Sequence, residues 1–190
     1  MNVFVLDDDP VVAAQLQCDK HVVKMIVESA QMLSTIHRML DGTKEKRPSK
    51  SGKRMVDYYR LNDEREDVLY KAVHFKHPCT VWTGESCCNY SWHYEHFIAL
   101  CDEYTYRYEK IHSTDTKLRN VLKQLPQNIN RSGGMTPFKL AMKSNPECVV
   151  HGLGGTDAVK SYQNFYQTKQ KRFKMEWTKR QIPEWFDAVV

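Results

Sequence analysis

DPVVAAQLQCDKHVVKMIVESAQMLSTIHRML, Asp9 to Leu40, is the stretch whose reading decides the rest of the chain. At about 100° per residue on an α-helix, Gln17, His21, Lys24, Glu28, Gln31 and Thr35 fall on one narrow line. Most other positions from Val22 to Leu40 are apolar, among them Val22, Met25, Ile26, Met32, Leu33 and Ile36. The pattern predicts a long, mostly buried helix with a break near Asp19. Burying an unpaired carboxylate costs several kcal/mol unless the group neutralises. Glu28 therefore needs a reason to sit on that line, and Lys24 and His21 lie one and two turns before it. A polar line is also what a surface helix shows to solvent, so periodicity alone leaves both readings of Glu28 open.

Outward from this helix, Asp9 before Pro10 is a good helix start, and Gly42 is a stop. Asn2–Leu6 is a short apolar lead-in. Thr43–Arg54 is rich in Lys and Arg, carries Pro48 and Gly52 and has no apolar face, which predicts a mobile loop over residues 43–54. Val56–Phe75 reads as a helix that weakens around Asn62. After the break at Lys76-His77-Pro78, Cys79–Tyr108 reads as a second long helical region, interrupted near Gly84. Its aromatics suit core packing with polar tips at the surface. A shorter helix follows over about Thr116–Gln124, then a loop from Leu125 to Gly134 and an irregular stretch from Met135 to Val150. The glycines of His151–Thr156 match neither a phosphate loop nor a dinucleotide fingerprint and read as a joint before a helix over Asp157–Phe173. The tail Trp177–Phe186 is expected to fold back over the body. The expected fold is all-α: one compact domain, 1–190, of about five or six helices around the long N-terminal one.

No apolar run is long enough for a transmembrane helix, and the first charges are acidic, which excludes a membrane span and argues against an export signal. The default location is cytoplasmic. Six scattered cysteines make no paired metal or redox motif, so reduced thiols are expected. The net charge of +5 is unevenly placed. Lys44, Lys46, Arg47, Lys50, Lys53 and Arg54 form one basic stretch. Lys160, Lys169, Lys171, Arg172, Lys174, Lys179 and Arg180 form another. Together they hold 13 of the 28 basic residues and 2 of the 23 acidic ones, so the remainder is acidic. Concentrated basic segments on an acidic body suit a polyanion, most often nucleic acid, although solvated loops and helix faces also carry such charge.

A carboxylate on a buried helix, basic segments and many aromatics point to an enzyme acting on DNA bases. Such an enzyme extrudes the base from the stack, and Lys and Arg hold the phosphates. Cleaving an N-glycosidic bond develops positive charge on the sugar, which a fixed carboxylate stabilises while it moves protons for an attacking amine or water. Glu28 suits that role.

Asp19-Lys-His21 followed by Glu28, on a helix close to the N-terminus, resembles the pyrimidine-dimer DNA glycosylase family, the phage-type endonuclease V enzymes. Their aromatic C-terminal segment is similar to Tyr162-Gln-Asn-Phe-Tyr166-Gln-Thr-Lys169, here without its Trp. The resemblance implies an all-α, monomeric DNA glycosylase with abasic-site lyase activity, acting on double-stranded DNA with no metal or cofactor, in the host bacterium's cytoplasm for a phage enzyme. It makes Glu28 the catalytic carboxylate and His21 the site histidine. It implies attack by the chain's terminal amine, which falls on Met1 or Asn2, unless Lys20 or Lys24 supplies it or no amine is used. The family's arginines beside the glutamate are replaced by Val27 and Gln31, so the expected substrate is a damaged or modified pyrimidine rather than a dimer as such. The DNA contacts expected are Lys44, Lys46, Arg47, Lys50, Lys53, Arg54, Tyr162, Tyr166, Lys169, Lys171 and Arg172. Two readings compete: a metal-dependent nuclease using His74, His77, His93, His96 and Asp7–Asp9, and a non-catalytic DNA-binding or inhibitory protein of the small basic kind that phages make.

Overall fold

The computed structural model describes residues 1–188. The long helix is present and broken where its polar line passes Asp19. Helix α1 spans Pro10–Gln15, and α2 spans Asp19–Asp41. Asp9 caps α1 by accepting from the amides of Val11 and Val12, and Pro10 fills the first helical position. The face of α2 that carries Val22, Met25, Ile26, Met32 and Leu33 is fully buried. It packs against α4 (Pro78–Glu85), α5 (Cys87–Tyr108) and α6 (Ser113–Lys123). The break between α4 and α5 falls at Ser86, whose side chain caps α5 through the amide of Asn89. Gly84 is where α4 lies closest to α2; a Cβ there would stand 2.8 Å from Ile36 Cδ1. No helix among the described residues is long and apolar enough to cross a membrane.

The fold is mixed α and β rather than all-α. Besides seven α-helices, the described residues form two antiparallel hairpins, β1 (Thr43–Pro48) with β2 (Met55–Arg60), and β3 (Val150–Gly152) with β4 (Gly155–Asp157). The expected mobile loop at 43–54 is therefore a strand and a turn, and the expected helix at 56–75 is a strand, the single turn α3 (Arg65–Val68) and extended chain. The first hairpin lacks an apolar alternation because charge pairs hold it. Lys44 and Lys46 both reach Asp57 across the ladder, at 3.1 and 2.6 Å. On the other face Arg47 pairs with Glu45 and lies over the Tyr58 ring.

Arg38, 1% exposed, fastens this region to α2. Its guanidinium donates to the carbonyls of Tyr59, Glu66, Leu69 and Tyr70 and to Glu66 Oε2, all within 2.6–3.0 Å. One buried cation thus gathers carbonyls from β2, from α3 and from the extended chain after it.

The last helix, α7 (Ala158–Gln167), is capped by Asp157 and continues as a 3₁₀ turn over Thr168–Lys171. It buries Tyr162, Phe165 and Tyr166 against the lead-in, where Val3, Phe4, Val5 and Leu6 are all buried. The tail folds back as expected: Trp177 Nε1 donates to the Leu16 carbonyl, and Gln167 Nε2 to that of Trp185. Asp19, at the start of α2, accepts from Arg107 of α5 and from both the amide and hydroxyl of Thr178. The aspartate of the Asp-Lys-His motif is thus a structural clasp.

Candidate active site

The lead-in brings the N-terminus onto the polar line of α2. Asn2 accepts the amides of Val3 and Phe4 at its Oδ1 and donates from Nδ2 to the Ala141 carbonyl. These bonds hold Phe4 at a φ of 53°, a left-handed conformation that an aromatic residue rarely adopts. The turn so formed points the Asn2 amide at Glu28 Oε2, 3.0 Å away, with the Met1 amine 3.6 Å from the same oxygen. Lys24 Nζ lies 3.1 Å from the other oxygen, Oε1. The Glu28 side chain is 14% exposed, so one nearly buried carboxylate gathers two positive nitrogens and an amide.

These groups form part of a hollow of about 460 Å³. Phe4, Phe165 and Phe173 give it apolar sides, and Lys20, Lys24, Lys169 and Arg172 give it a basic rim. The volume falls within the range that holds small ligands, about 300–1,000 Å³. Lys169 Nζ sits 3.3 Å above the Phe165 ring, and Lys20 Nζ 5.0 Å above that of Phe173. Burial first, then Arg172, lowers the Lys169 pKa to about 8.

His21 forms the wall opposite the rim. Its ring stacks on Phe4 at 4.8 Å, and its Nδ1 lies 2.7 Å from Tyr166 Oη, which also accepts the amide of Cys18. Burial pushes the Tyr166 phenol well above its ordinary pKa, so it keeps its proton and is able to donate it to Nδ1. In that arrangement the His21 hydrogen sits on Nε2. Burial, then Lys24 and Lys169, lowers the His21 pKa to about 3, so the ring is neutral at pH 7. It can donate a hydrogen bond but carries no charge.

The structure thus brings Met1, Asn2, His21, Lys24, Glu28, Lys169 and Arg172 to one hollow. It does not bring Tyr162 and Tyr166 to the surface. Both are fully buried, and their hydroxyls hold main chain: Tyr162 joins the Ala141 amide to the Lys139 carbonyl. As DNA contacts they are corrected to supports of the hollow floor. Lys171 is exposed beside the rim. Lys44, Lys46, Arg47, Lys50, Lys53 and Arg54 lie on the first hairpin, at the far end of α2. Glu28 precedes Asp41 by thirteen residues, about 20 Å of helix at 1.5 Å per residue. Lys50, Lys53 and Arg54, at the tip, carry no ion pair among the described residues, whereas Lys44, Lys46 and Arg47 are matched within the hairpin.

One residue beside the site, Ala141, escaped the sequence reading, and another, His77, entered it only as a candidate metal ligand. His77 caps α4 by accepting the Cys79 amide at Nδ1, and its ring meets the Met1 carbonyl beside the amine and Glu28. Burial, then the Met1 amine, lowers its pKa. The cap before Pro78 was legible; its closeness to residue 1 was not. Ala141 comes from the irregular stretch, where no pattern marks it. His93 and His96 are fully buried, with His93 Nδ1 on Thr83 Oγ1 and His96 Nε2 on Gln17 Nε2. Among the described residues no three His, Cys, Asp or Glu side chains converge as metal ligands would. No family model, curated protein or solved structure matches the chain.

Proposed function

We propose that the protein is a DNA glycosylase that excises a damaged or chemically modified pyrimidine base and opens the abasic sugar as a lyase. One observation carries this reading: a single, nearly buried carboxylate, Glu28, lies in a basic-rimmed hollow with amines 3.6 and 3.1 Å from its two oxygens. A nucleophilic amine attacks C1′ of the sugar, the glycosidic bond breaks, and its electron pair leaves with the base, which takes up a proton. Glu28 faces the positive charge that grows on the sugar and accepts the proton that the attacking amine releases. His21, neutral and holding its hydrogen on Nε2, donates to an oxygen or nitrogen of the extruded nucleotide. The phenylalanines supply apolar faces for the base, and Lys20 and Arg172 take the flanking phosphates.

The hairpin tip favours a second reading, DNA binding without catalysis, because its three unmatched cations need no hollow. Incubating the protein with duplexes that each carry one oxidised, alkylated or dimerised pyrimidine, and measuring free base by mass spectrometry, separates the two. Base release that falls about 100- to 1,000-fold in Glu28→Gln, with the melting curve unchanged, supports excision. Binding with no release and no borohydride-trapped adduct on any duplex refutes it.

A further inference from the structure

Four amines meet at the hollow, and their surroundings differ. The Met1 amine and Lys24 Nζ are each engaged by Glu28, at 3.6 and 3.1 Å. Lys20 is exposed to water. Lys169 has no ion pair among the described residues, lies half-buried over the face of Phe165, and is crowded by the like charges of Arg172 and Lys24. A lysine becomes a nucleophile when an apolar surface and a neighbouring cation make its neutral form accessible. Lys169 meets both conditions, and the acid that would receive its proton lines the same hollow.

We propose, on the base-excision reading above, that Lys169 is the imine-forming amine of this hollow, and that its ligand is a phosphate-flanked aldehyde, the ring-opened deoxyribose of an abasic site. The Nζ lone pair forms the new bond to C1′ while the carbonyl electron pair moves to oxygen. That oxygen collects the two protons that the amine nitrogen releases in turn, relayed by Glu28, and leaves as water, so that amine and aldehyde become imine and water. Arg172, one turn beyond Lys169, and the exposed Lys20 hold the phosphates on either side. The Met1 amine and Lys24 then serve as counter-charges that keep Glu28 in place. The sequence reading gave Lys169 the role of a phosphate contact; its half-burial over Phe165 beside two other cations argues for the chemical one.

The neutral fraction of Lys169 rises near pH 8, because burial, Arg172 and Lys24 lower its pKa against a small opposing effect of Cys148. The Met1 amine, Lys20, Lys24, Glu28 and His21 are the other titratable groups lining the hollow, and His21 stays neutral throughout that range.

The experiment is borohydride trapping on an abasic duplex, with the reduced adduct located by peptide mass spectrometry, for the wild-type chain, Lys169→Arg and Lys24→Arg. Arginine keeps the charge and removes the nucleophile. The expected result is an adduct on Lys169, trapping that rises with a midpoint near pH 8, and a loss of about 100-fold or more in Lys169→Arg. Duplex affinity and the melting curve of that variant should stay close to wild type. An adduct mapped to the N-terminus or Lys24, with Lys169→Arg trapped as efficiently as wild type, overturns the assignment and leaves excision standing. A wild-type chain that neither releases a base nor forms any adduct overturns the excision reading itself, and this assignment with it.

Discussion

Tyr166→Phe removes one oxygen and no carbon, and the structure says what that oxygen does. It accepts the Cys18 amide at 2.9 Å and donates to His21 Nδ1 at 2.7 Å, at a fully buried position. Cys18 precedes the first turn of α2, so its amide has no helical partner to fall back on. Leaving one buried donor unsatisfied costs about 1–3 kcal/mol, and the lost bond to the imidazole about 1 kcal/mol more. The variant should therefore lose about 2–4 kcal/mol. For a chain of this length the melting temperature falls about 2–4 °C per kcal/mol, a drop of about 4–16 °C. The substitution also frees the ring hydrogen. With the phenol present the His21 hydrogen stays on Nε2; without it both tautomers are open, and the nitrogen chemical shifts of His21 should move toward a mixture. Thermal unfolding by circular dichroism and nitrogen-15 spectra of the histidines test both parts. A loss below about 0.5 kcal/mol, well under the cost of one orphaned amide, with an unchanged His21 tautomer, would refute the account of how this wall is built.

Acid should unfold the protein early. Burial lowers His21, His93 and His96 to about 3 and His37 to about 4, so the unfolded chain binds protons that the folded chain refuses as pH drops below about 6.5. The stability present above pH 6.5 is lost at up to about 1.4 kcal/mol per pH unit for each histidine. Four of them remove about 5 kcal/mol near pH 5.5, comparable with a domain's whole stability, and a pH titration of ellipticity should show cooperative loss between about pH 4.5 and 6. Arg38→Ala should cost about 3–5 kcal/mol and speed amide exchange across residues 55–70, because four carbonyls and Glu66 lose their donor together. Replacing Lys50, Lys53 and Arg54 by Ser should leave the melting curve unchanged but flatten the log–log salt dependence of DNA binding by about 0.9 per cation engaged. An unchanged slope would take the tip off the DNA.

The helical half of the fold was legible because its signals are local. Period 3.6 on α2, Asp9 before Pro10, the stop at Gly42 and the interruption between α4 and α5 are each set by residues within one or two turns. The first hairpin was not legible, because Lys44, Lys46 and Asp57 pair across a ladder and no apolar alternation marks either strand. The segment after it depends on Arg38, whose five donors organise chain up to 32 residues away. No local pattern encodes such a hub. In the site, Glu28, Lys24 and His21 share a helix line and could be grouped from spacing alone. That the N-terminus would turn down onto Glu28 depends on Asn2 folding against its own backbone and on Ala141, far along the chain. Tyr162 and Tyr166 are expected on DNA because their segment resembles the aromatic C-terminal segment of the glycosylase family; the same aromatic face suits a core, and the buried lead-in claimed it.

The clasp at Asp19 constrains what this hollow can admit. The run from Gln167 to Met175, which carries Lys169, Arg172 and Phe173, is tethered at one end by the Tyr166 hydroxyl on Cys18 and His21, and at the other by Asp19 through Glu176 and Thr178. Both tethers end at the first turn of α2. A guest too wide for the opening must bow out a short span whose two ends are fixed to the same support, so amine and guanidinium shift together or not at all. On the excision reading, the slack in these nine residues would set the size limit on the base, and lengthening the span by a glycine or two should broaden the range of bases accepted while loosening the grip on each.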